Sequence, residues 1–288
     1  MVANVSLPAH NSIETINTVL AERQKFLGFY RSITNDLRDQ ITSYVEHNGD
    51  PTCIQPLNLR DYTDTDADAI KRKKTLINLY TPKPEKSPFI ILEKMRNEHG
   101  LLFCPSCGED GAPGTLDHYL PKNVFPELSV CLANLTPMCS KCQGKKSDDY
   151  LTNEDQKAFL HPYFDQIGEC LFHINIQPPF NNPWQFSIAL KETVNGEFKR
   201  LVESHIAGID FINRVEVFCE SKHLHLLKLM AEEREDEEPL SAEQLIRRFL
   251  RQGQKKALNA WGAIYYQSVL ASPDVLDYLN NGQLPEFI

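Results

Sequence analysis

Two Cys-x-x-Cys pairs constrain this chain more than any other feature of its sequence. Cys104 and Cys107 form the first pair, Cys139 and Cys142 form the second, and 31 residues separate the two pairs. Together they can give Zn²⁺ the four thiolates of a closed tetrahedral site, which leaves no coordination position for a substrate. Gly108 follows the first pair and permits the turn that such a pair needs. The pattern therefore predicts a structural zinc ion that joins two segments of the chain.

These cysteines have two other interpretations at this point. Four reduced thiols can be buried in a core, or one pair can be a redox centre, although no thioredoxin-like βαβ pattern surrounds either pair. The remaining cysteines are isolated in the sequence, and we expect them to be small buried side chains rather than disulfides. They are Cys53, Cys131, Cys170 and Cys219.

The composition is that of a globular protein. Hydrophobic residues make up 41% of the 288 residues and charged residues 24%, and the formal net charge is −9. These values exclude collagen, wholesale disorder and a polytopic membrane protein. No apolar stretch reaches the roughly 18 residues that span a bilayer, and the N-terminal sequence lacks the basic and apolar regions of a signal peptide. We therefore expect a cytoplasmic protein that has no membrane segment.

The charges are unevenly distributed along the chain. Residues 71–100 contain eight Lys or Arg and three acids, and residues 247–256 contain five basic residues and no acid. Residues 232–238 hold six acids and one Arg. The basic runs could follow a phosphate backbone, or all of these runs could be solvated helix faces. The net negative charge excludes indiscriminate binding of DNA by the whole surface.

The segment between the cysteine pairs carries further residues in a specific order. Asp117 and His118 are followed by Pro121, and Asn134 stands 16 residues after the histidine. This order, framed by the two cysteine pairs and followed by lysines, resembles the HNH endonuclease family over about residues 101–148. The resemblance implies a ββα-metal core of treble-clef-like form that hydrolyses phosphodiester bonds.

The chemistry of these residue types fits that resemblance. Phosphodiester hydrolysis needs a deprotonated water and a cation at the scissile phosphate. An imidazole titrates near neutral pH, which suits His118 as general base, and the Asp117 carboxylate can bind a catalytic Mg²⁺ or Mn²⁺. The resemblance implies that Asn134 holds the hairpin and orients the imidazole. Three nearby lysines are predicted to contact nucleic-acid phosphates: Lys122, Lys145 and Lys146.

Gln143 departs from the family pattern. HNH proteins usually carry His or Asn directly after the second cysteine pair, where it completes the catalytic metal site. Three outcomes are open: Gln143 binds the ion through its carboxamide oxygen, His161 replaces it, or the metal site is weakened. We favour the first of these. A second metal site at His223 and His225 is not expected, because residues two apart on a helix face different directions; one should be buried and one exposed.

The sequence predicts an α+β protein that is mainly helical. A helical N-terminal region and linker occupy residues 1–88, the nuclease core with its zinc residues 89–165, and a small sheet with helices residues 166–288. In the last region, segments 171–176 and 186–190 read as strands, and Asn195-Gly196 indicates a hairpin turn into 198–202. Ser241 and Gln244 form a capping box that starts a helix.

We expect a metal-dependent DNA endonuclease with structural Zn²⁺ and catalytic Mg²⁺ or Mn²⁺. The sequence HPYFD at 161–165 is similar to a subset of HNH proteins in prokaryotic phage defence, which implies an effector and a regulatory protein partner such as an ATPase. Two alternatives remain: a catalytically silent zinc module that binds nucleic acid or protein, and a nuclease acting on RNA.

Overall fold

The computed structural model describes residues 3–182 and 184–285. Helices dominate it, and four strands form two separate two-stranded antiparallel sheets, so the predicted α+β class is confirmed. The strands are β1 (Thr115–His118), β2 (Leu135–Met138), β3 (Phe172–Gln177) and β4 (Gln185–Leu190). The helices are α1 (Ser12–Ala21), α2 (Leu27–Glu46), α3 (Asp66–Ile77), α4 (Phe89–Asn97), α5 (Ser140–Lys146), α6 (Gly196–Gly208), α7 (Phe211–Arg234), α8 (Ala242–Gln254), α9 (Trp261–Leu270) and α10 (Pro273–Asn281).

Local sequence signals explain several helix boundaries. The Asn11 side chain caps α1 by accepting hydrogen bonds from the backbone N–H groups of Ile13 and Glu14. The capping box of Ser241 and Gln244 is present at the start of α8, as predicted. Between α1 and α2 the chain turns at Phe26, which has a φ of +61° and precedes α2 without a side-chain cap. Residues 12–46 therefore form two helices, and α3 is a third helix within residues 1–88.

The turn predicted at Asn195-Gly196 is wrong. Asn195 is the residue before α6, and residues 198–202 belong to that helix. The buried residues of this segment recur with the spacing of a helix. Val202 and His205, three residues apart, both face the interior, whereas a strand would point them to opposite faces. The two strands predicted before it do form, as β3 and β4.

One continuous cluster of buried side chains holds the described part of the chain together. It includes residues of the helical N-terminal region, of the β1–β2 segment and of the C-terminal helices. Cys131, Cys170 and Cys219 lie in this core as predicted, whereas Cys53 is exposed in a turn and corrects the prediction made for it. His223 is buried and His225 exposed, as expected.

A second, smaller cluster packs α4 against the β1–β2 hairpin. Leu92 of α4 lies with Leu116 of β1 and Leu135 of β2, and Tyr80 and Met95 pack against them. Within the described residues, no helix combines the length and the apolar character that a bilayer crossing requires.

Candidate metal centre and hydrolytic site

The four cysteines of the two pairs meet in space. Their sulfur atoms all lie within 4.8 Å of one another, and Cys104, Cys107 and Cys142 are buried. In the described residues this is the one group of three or more His, Cys, Asp or Glu side chains so close together. Four thiols at this spacing are the donor set of structural zinc sites. The residues therefore fit the predicted ion.

Backbone geometry shapes both halves of this cysteine cluster. Gly108 has a φ of +81° and donates its N–H to the Cys104 carbonyl at 2.7 Å, which closes the first turn. Cys139 is the cap of α5, and its Sγ accepts the N–H of Cys142 at 3.5 Å. Hydrogen bonds from the other thiols, that of Cys104 first, lower the pKa of Cys139. The same contacts raise the pKa values of Cys107 and Cys142, so binding of a metal ion, which needs thiolates, would release protons from this cluster.

An arginine from α7 lies against the cysteine cluster. Arg214 donates through Nη1 to Cys142 Sγ at 3.2 Å and through Nη2 to Cys107 Sγ at 3.4 Å. The same Nη2 is 2.6 Å from Glu109 Oε2. Only 13% of the arginine side chain is exposed. A zinc ion held by the four thiolates would carry a net charge of about −2, which this guanidinium would partly neutralise.

The C-terminal helices also fix the first cysteine turn. Trp261 Nε1 donates to the Cys107 carbonyl at 2.6 Å, and His205 Nε2 donates to the Ser106 carbonyl at 2.9 Å. Sequence reasoning missed these partners, because they lie about 100 to 150 residues away in the chain and no local motif predicts the contacts.

Asp117 and His118 stand at the end of β1. Asp117 pairs with Thr136 and His118 with Leu135 of β2 in an antiparallel register, so the two side chains point to opposite faces. Asn134 precedes β2 and accepts the N–H of Leu120 on Oδ1 at 2.7 Å, while Nδ2 donates to the Leu120 carbonyl at 3.0 Å. Asn134 thus clamps the loop that follows His118.

The His118 imidazole is held by a different residue. Its Nε2 lies 3.0 Å from the Ser129 carbonyl oxygen, and its ring packs edge-on against Tyr80 with 4.4 Å between the centroids. Because a carbonyl only accepts, Nε2 carries the proton and Nδ1 keeps its lone pair. Burial lowers the pKa of His118 to about 3, helped by the charge of Lys122.

Asp117 has a buried cationic neighbour. Lys146 Nζ lies 3.1 Å from Asp117 Oδ2, and 1% and 7% of the two side chains are exposed. The two groups are close enough to form an ion pair, but no donor meets Oδ2 at a hydrogen-bonding angle. Burial raises the pKa of Asp117, and the charge of Lys146 and a hydrogen bond from Gln143 oppose that rise. Gln143 Nε2 also lies 3.4 Å from the Leu116 carbonyl, so its carboxamide is beside the carboxylate.

The three lysines predicted to contact phosphates are in different environments. Lys145 is exposed and forms a salt bridge of 3.2 Å with Asp210, and Lys122 Nζ lies 4.8 Å from the centre of the Tyr80 ring. Lys146 is buried, and besides Asp117 it donates to the His118 carbonyl at 3.0 Å. The interpretation of Lys146 as a surface phosphate contact is therefore replaced by an internal role, because an ammonium that is 1% exposed cannot meet a phosphate backbone.

His161 is not available as a replacement for Gln143. It is fully buried, with Nε2 2.8 Å from the Tyr44 hydroxyl and Nδ1 accepting the N–H of Tyr163 at 3.1 Å. Both ring nitrogens are therefore occupied in the aromatic core. These hydrogen bonds exclude His161 as the residue that completes the metal site in place of Gln143.

Comparison with known proteins gives short matches. Protein ea31 of Escherichia phage lambda is 41% identical over 64 residues, which is 22% of this chain and 21% of that protein. Septu protein PtuB of Bacillus thuringiensis is 26% identical over 106 residues, 36% of this chain and 35% of PtuB. The chain thus matches about a fifth of one relative and a third of the other. No protein-family model and no solved structure matches it.

Proposed function

We propose that this protein is a metal-dependent nuclease that hydrolyses phosphodiester bonds in DNA. The observation that carries the proposal is the pair Asp117 and His118 at the end of β1, in a hairpin that the four-cysteine cluster joins to the rest of the fold. A carboxylate and a neutral imidazole in adjacent positions are the groups that metal-assisted hydrolysis requires.

His118 is the proposed general base. The hydrogen bond of Nε2 to the Ser129 carbonyl fixes the tautomer and leaves Nδ1 free to take a proton from water. Asn134 does not contact the His118 imidazole directly. It donates to the carbonyls of Leu120 and Leu128, and so fixes the chain after His118 and the loop that carries the Ser129 carbonyl. Asn134 is therefore proposed as a positioning residue.

Asp117 and Gln143 are proposed to hold the catalytic divalent ion. The buried Oδ2 of Asp117 is paired with Lys146 at 3.1 Å but accepts no hydrogen bond of good angular geometry, and oxygen donors suit Mg²⁺ and Mn²⁺. When bound, such an ion stabilises the negative charge that builds on the phosphate. Lys146 would then share the carboxylate with it, or move away from it.

The hydrolytic site is covered in the structure. Asp117 and His118 are 5% and 6% exposed, and Tyr80 packs on the imidazole. A base whose pKa is about 3 accepts protons poorly at pH 7. We therefore propose that this is a resting arrangement and that the cover opens when DNA or a partner binds.

A proposed role in phage defence agrees with a nuclease site that is covered at rest. The similarity to Septu protein PtuB is the basis for this part of the proposal. A nuclease in such a role has to be restrained until it is triggered, by the DNA itself or by a regulatory protein partner such as an ATPase. The covered site is consistent with that requirement.

Incubation of the purified protein with plasmid DNA and with RNA, each with Mg²⁺ or Mn²⁺, tests the proposal. We expect DNA cleavage that is lost in His118→Ala and kept in His173→Ala, a matched control because His173 is exposed on β3. Cleavage of RNA alone would make the protein a ribonuclease. Cleavage that survives His118→Ala would exclude His118 as the base.

The ion pair of Asp117 and Lys146 favours a second candidate function. A buried ammonium beside the carboxylate already supplies the positive charge that a divalent ion would bring. If neither nucleic acid is cleaved with any divalent ion or with a partner, the protein is better described as a zinc module that binds nucleic acid or protein.

A further inference from the structure

A cleft of about 450 Å³ lies in the N-terminal region, outside the hydrolytic site. It is formed by the loop between α1 and α2 and by the segment that follows α3. Leu79 and Thr81 line it, while Tyr80 between them contacts His118. The cleft and the hydrolytic site are therefore neighbours that share one short segment of the chain.

Positive charge dominates the lining of this cleft. Four basic and two acidic side chains contribute to it: Arg23, Lys25, Lys83, Lys86, Glu22 and Glu85. The Glu22 carboxylate is occupied internally, because it accepts the Ser87 N–H at 2.9 Å. Among the described residues, no salt bridge engages Lys25, Lys83 or Lys86, although the charge of Lys86 lowers the pKa of Glu22. Their ammonium groups are available to an anion.

An aromatic ring stands at the edge of the same cleft. Phe26 is 49% exposed although it is apolar, and its backbone φ of +61° is a strained conformation for a bulky residue. The guanidinium of Arg72 lies 3.7 Å from the ring centre, and its Nη1 is buried without a hydrogen-bond partner. The ring therefore has Arg72 as an internal neighbour and still exposes about half of its surface to solvent at the edge of the cleft.

We propose that this cleft binds single-stranded nucleic acid. A base would stack on Phe26, and the phosphates on either side would contact Lys25, Lys83 and Lys86, which is the combination of ring and cations that unpaired strands prefer. The volume is that of a small-molecule pocket and suits about one or two nucleotides, whose bases can enter it only when they are unpaired. An acidic peptide would use the cations but not the ring.

Fluorescence anisotropy tests this with the full-length His118→Ala protein, a labelled oligothymidylate of about 12 nucleotides and no divalent ion. Binding is then measured without cleavage, so its failure and failure of the nuclease proposal are distinguishable. We expect Phe26→Ala and Phe26→Gly each to weaken binding by about 5- to 100-fold, the range of one lost base stack. Gly adopts a φ of +61° without strain, so Phe26→Gly should melt at a higher temperature than Phe26→Ala.

The double variant Lys83→Gln with Lys86→Gln should reduce the slope of log Kd against log [salt] by about 1 to 2. The slope is measured between about 50 and 200 mM salt. The matched control is Lys199→Gln with Arg200→Gln on α6, whose side chains are 48% and 72% exposed and outside the cleft. Equal losses in both double variants, no effect of removing the Phe26 ring, or equally tight binding of a duplex would each overturn the proposal.

Discussion

Lys146 Nζ lies 3.1 Å from Asp117 Oδ2 inside the protein, with 1% of the lysine side chain exposed. Lys146 ends α5, the helix that Cys139 caps, and Asp117 belongs to β1. The ion pair therefore joins the helix of the second cysteine pair to the strand that carries the proposed catalytic residues. It places a fixed positive charge where a divalent ion is also proposed to bind.

Lys146→Met should be strongly destabilising. Removal of one partner leaves a buried carboxylate unpaired, which costs about 3–5 kcal/mol in the free energy of unfolding. Lys145→Met is the matched control, since the salt bridge of Lys145 with Asp210 is at the surface and its loss should change the free energy of unfolding little. Denaturant titration measures both. If Asp117 binds a divalent ion, Mg²⁺ should restore part of the loss in Lys146→Met and change Lys145→Met little. Equal stability of the two variants would contradict this role of Lys146.

Arg214→Met should weaken zinc binding. The guanidinium donates to Cys142 and Cys107 at 3.2 and 3.4 Å, and partners of metal ligands typically contribute about 10- to 100-fold to metal affinity. Competition with a chromophoric chelator measures the affinity, and Arg214→Lys should recover part of it because the charge is kept. Arg200→Met, which changes an exposed arginine on α6, is the control. Unchanged affinity in Arg214→Met would show that the arginine serves only packing.

Glu127 should make stability depend on pH. It is 1% exposed, and burial raises its pKa to about 7, although hydrogen bonds from the Leu57 N–H and the Gln40 side chain oppose that rise. Since an unfolded Glu titrates near 4.5, the folded state binds the extra proton between about pH 4.5 and 7. The stabilisation is full below that window and is lost as the pH rises through it, by about 3 kcal/mol.

Glu127→Gln isolates this contribution. The amide keeps an acceptor for the Leu57 N–H and cannot ionise, so the variant should match the wild type near pH 4.5 and exceed its unfolding free energy above pH 7. Glu154→Gln, at an exposed position, should show the wild-type pH profile. Parallel profiles of the wild type and Glu127→Gln would disprove the assignment.

Much of this site was predictable, because its signals are local. The spacing of the cysteine pairs predicted a four-thiol cluster, and the sulfur atoms do meet within 4.8 Å. The capping box at Ser241 and the strands β3 and β4 were also predicted, since capping and alternation are properties of a few neighbouring residues. Asp117 and His118 do lie side by side on one strand.

The unpredicted features depend on contacts between distant segments. Arg214 reaches the cysteines from α7, and nothing in its own sequence environment distinguishes it from a solvated helix arginine. Lys146 follows the second cysteine pair as a phosphate-binding lysine would, yet the packing of α5 buries it. The Asn195-Gly196 step has the sequence of a hairpin turn, but the burial of Val202 and His205 selects a helix.

Tyr80→Ala should uncover His118 and speed cleavage. The Tyr80 ring packs on the imidazole at 4.4 Å, and its hydroxyl donates to the Leu116 carbonyl at 2.9 Å, which holds it in place. Burial is the largest cause of the low pKa of His118, so its removal should raise that pKa toward the ordinary value of about 6.5. A base with a pKa nearer to neutrality removes a proton from water more readily.

Two measurements check this prediction independently. Titration of the imidazole by NMR, without divalent ions, should show a pKa for His118 that is higher in Tyr80→Ala than in the wild type. Plasmid cleavage with Mg²⁺ should rise several-fold, whereas Tyr278→Ala, which removes a ring packed on Phe180 far along the chain, should change neither quantity. A raised pKa with slower cleavage would mean that Tyr80 orients His118 for the reaction instead of covering it. An unchanged pKa would mean that other parts of the fold, and not Tyr80, keep water from the imidazole.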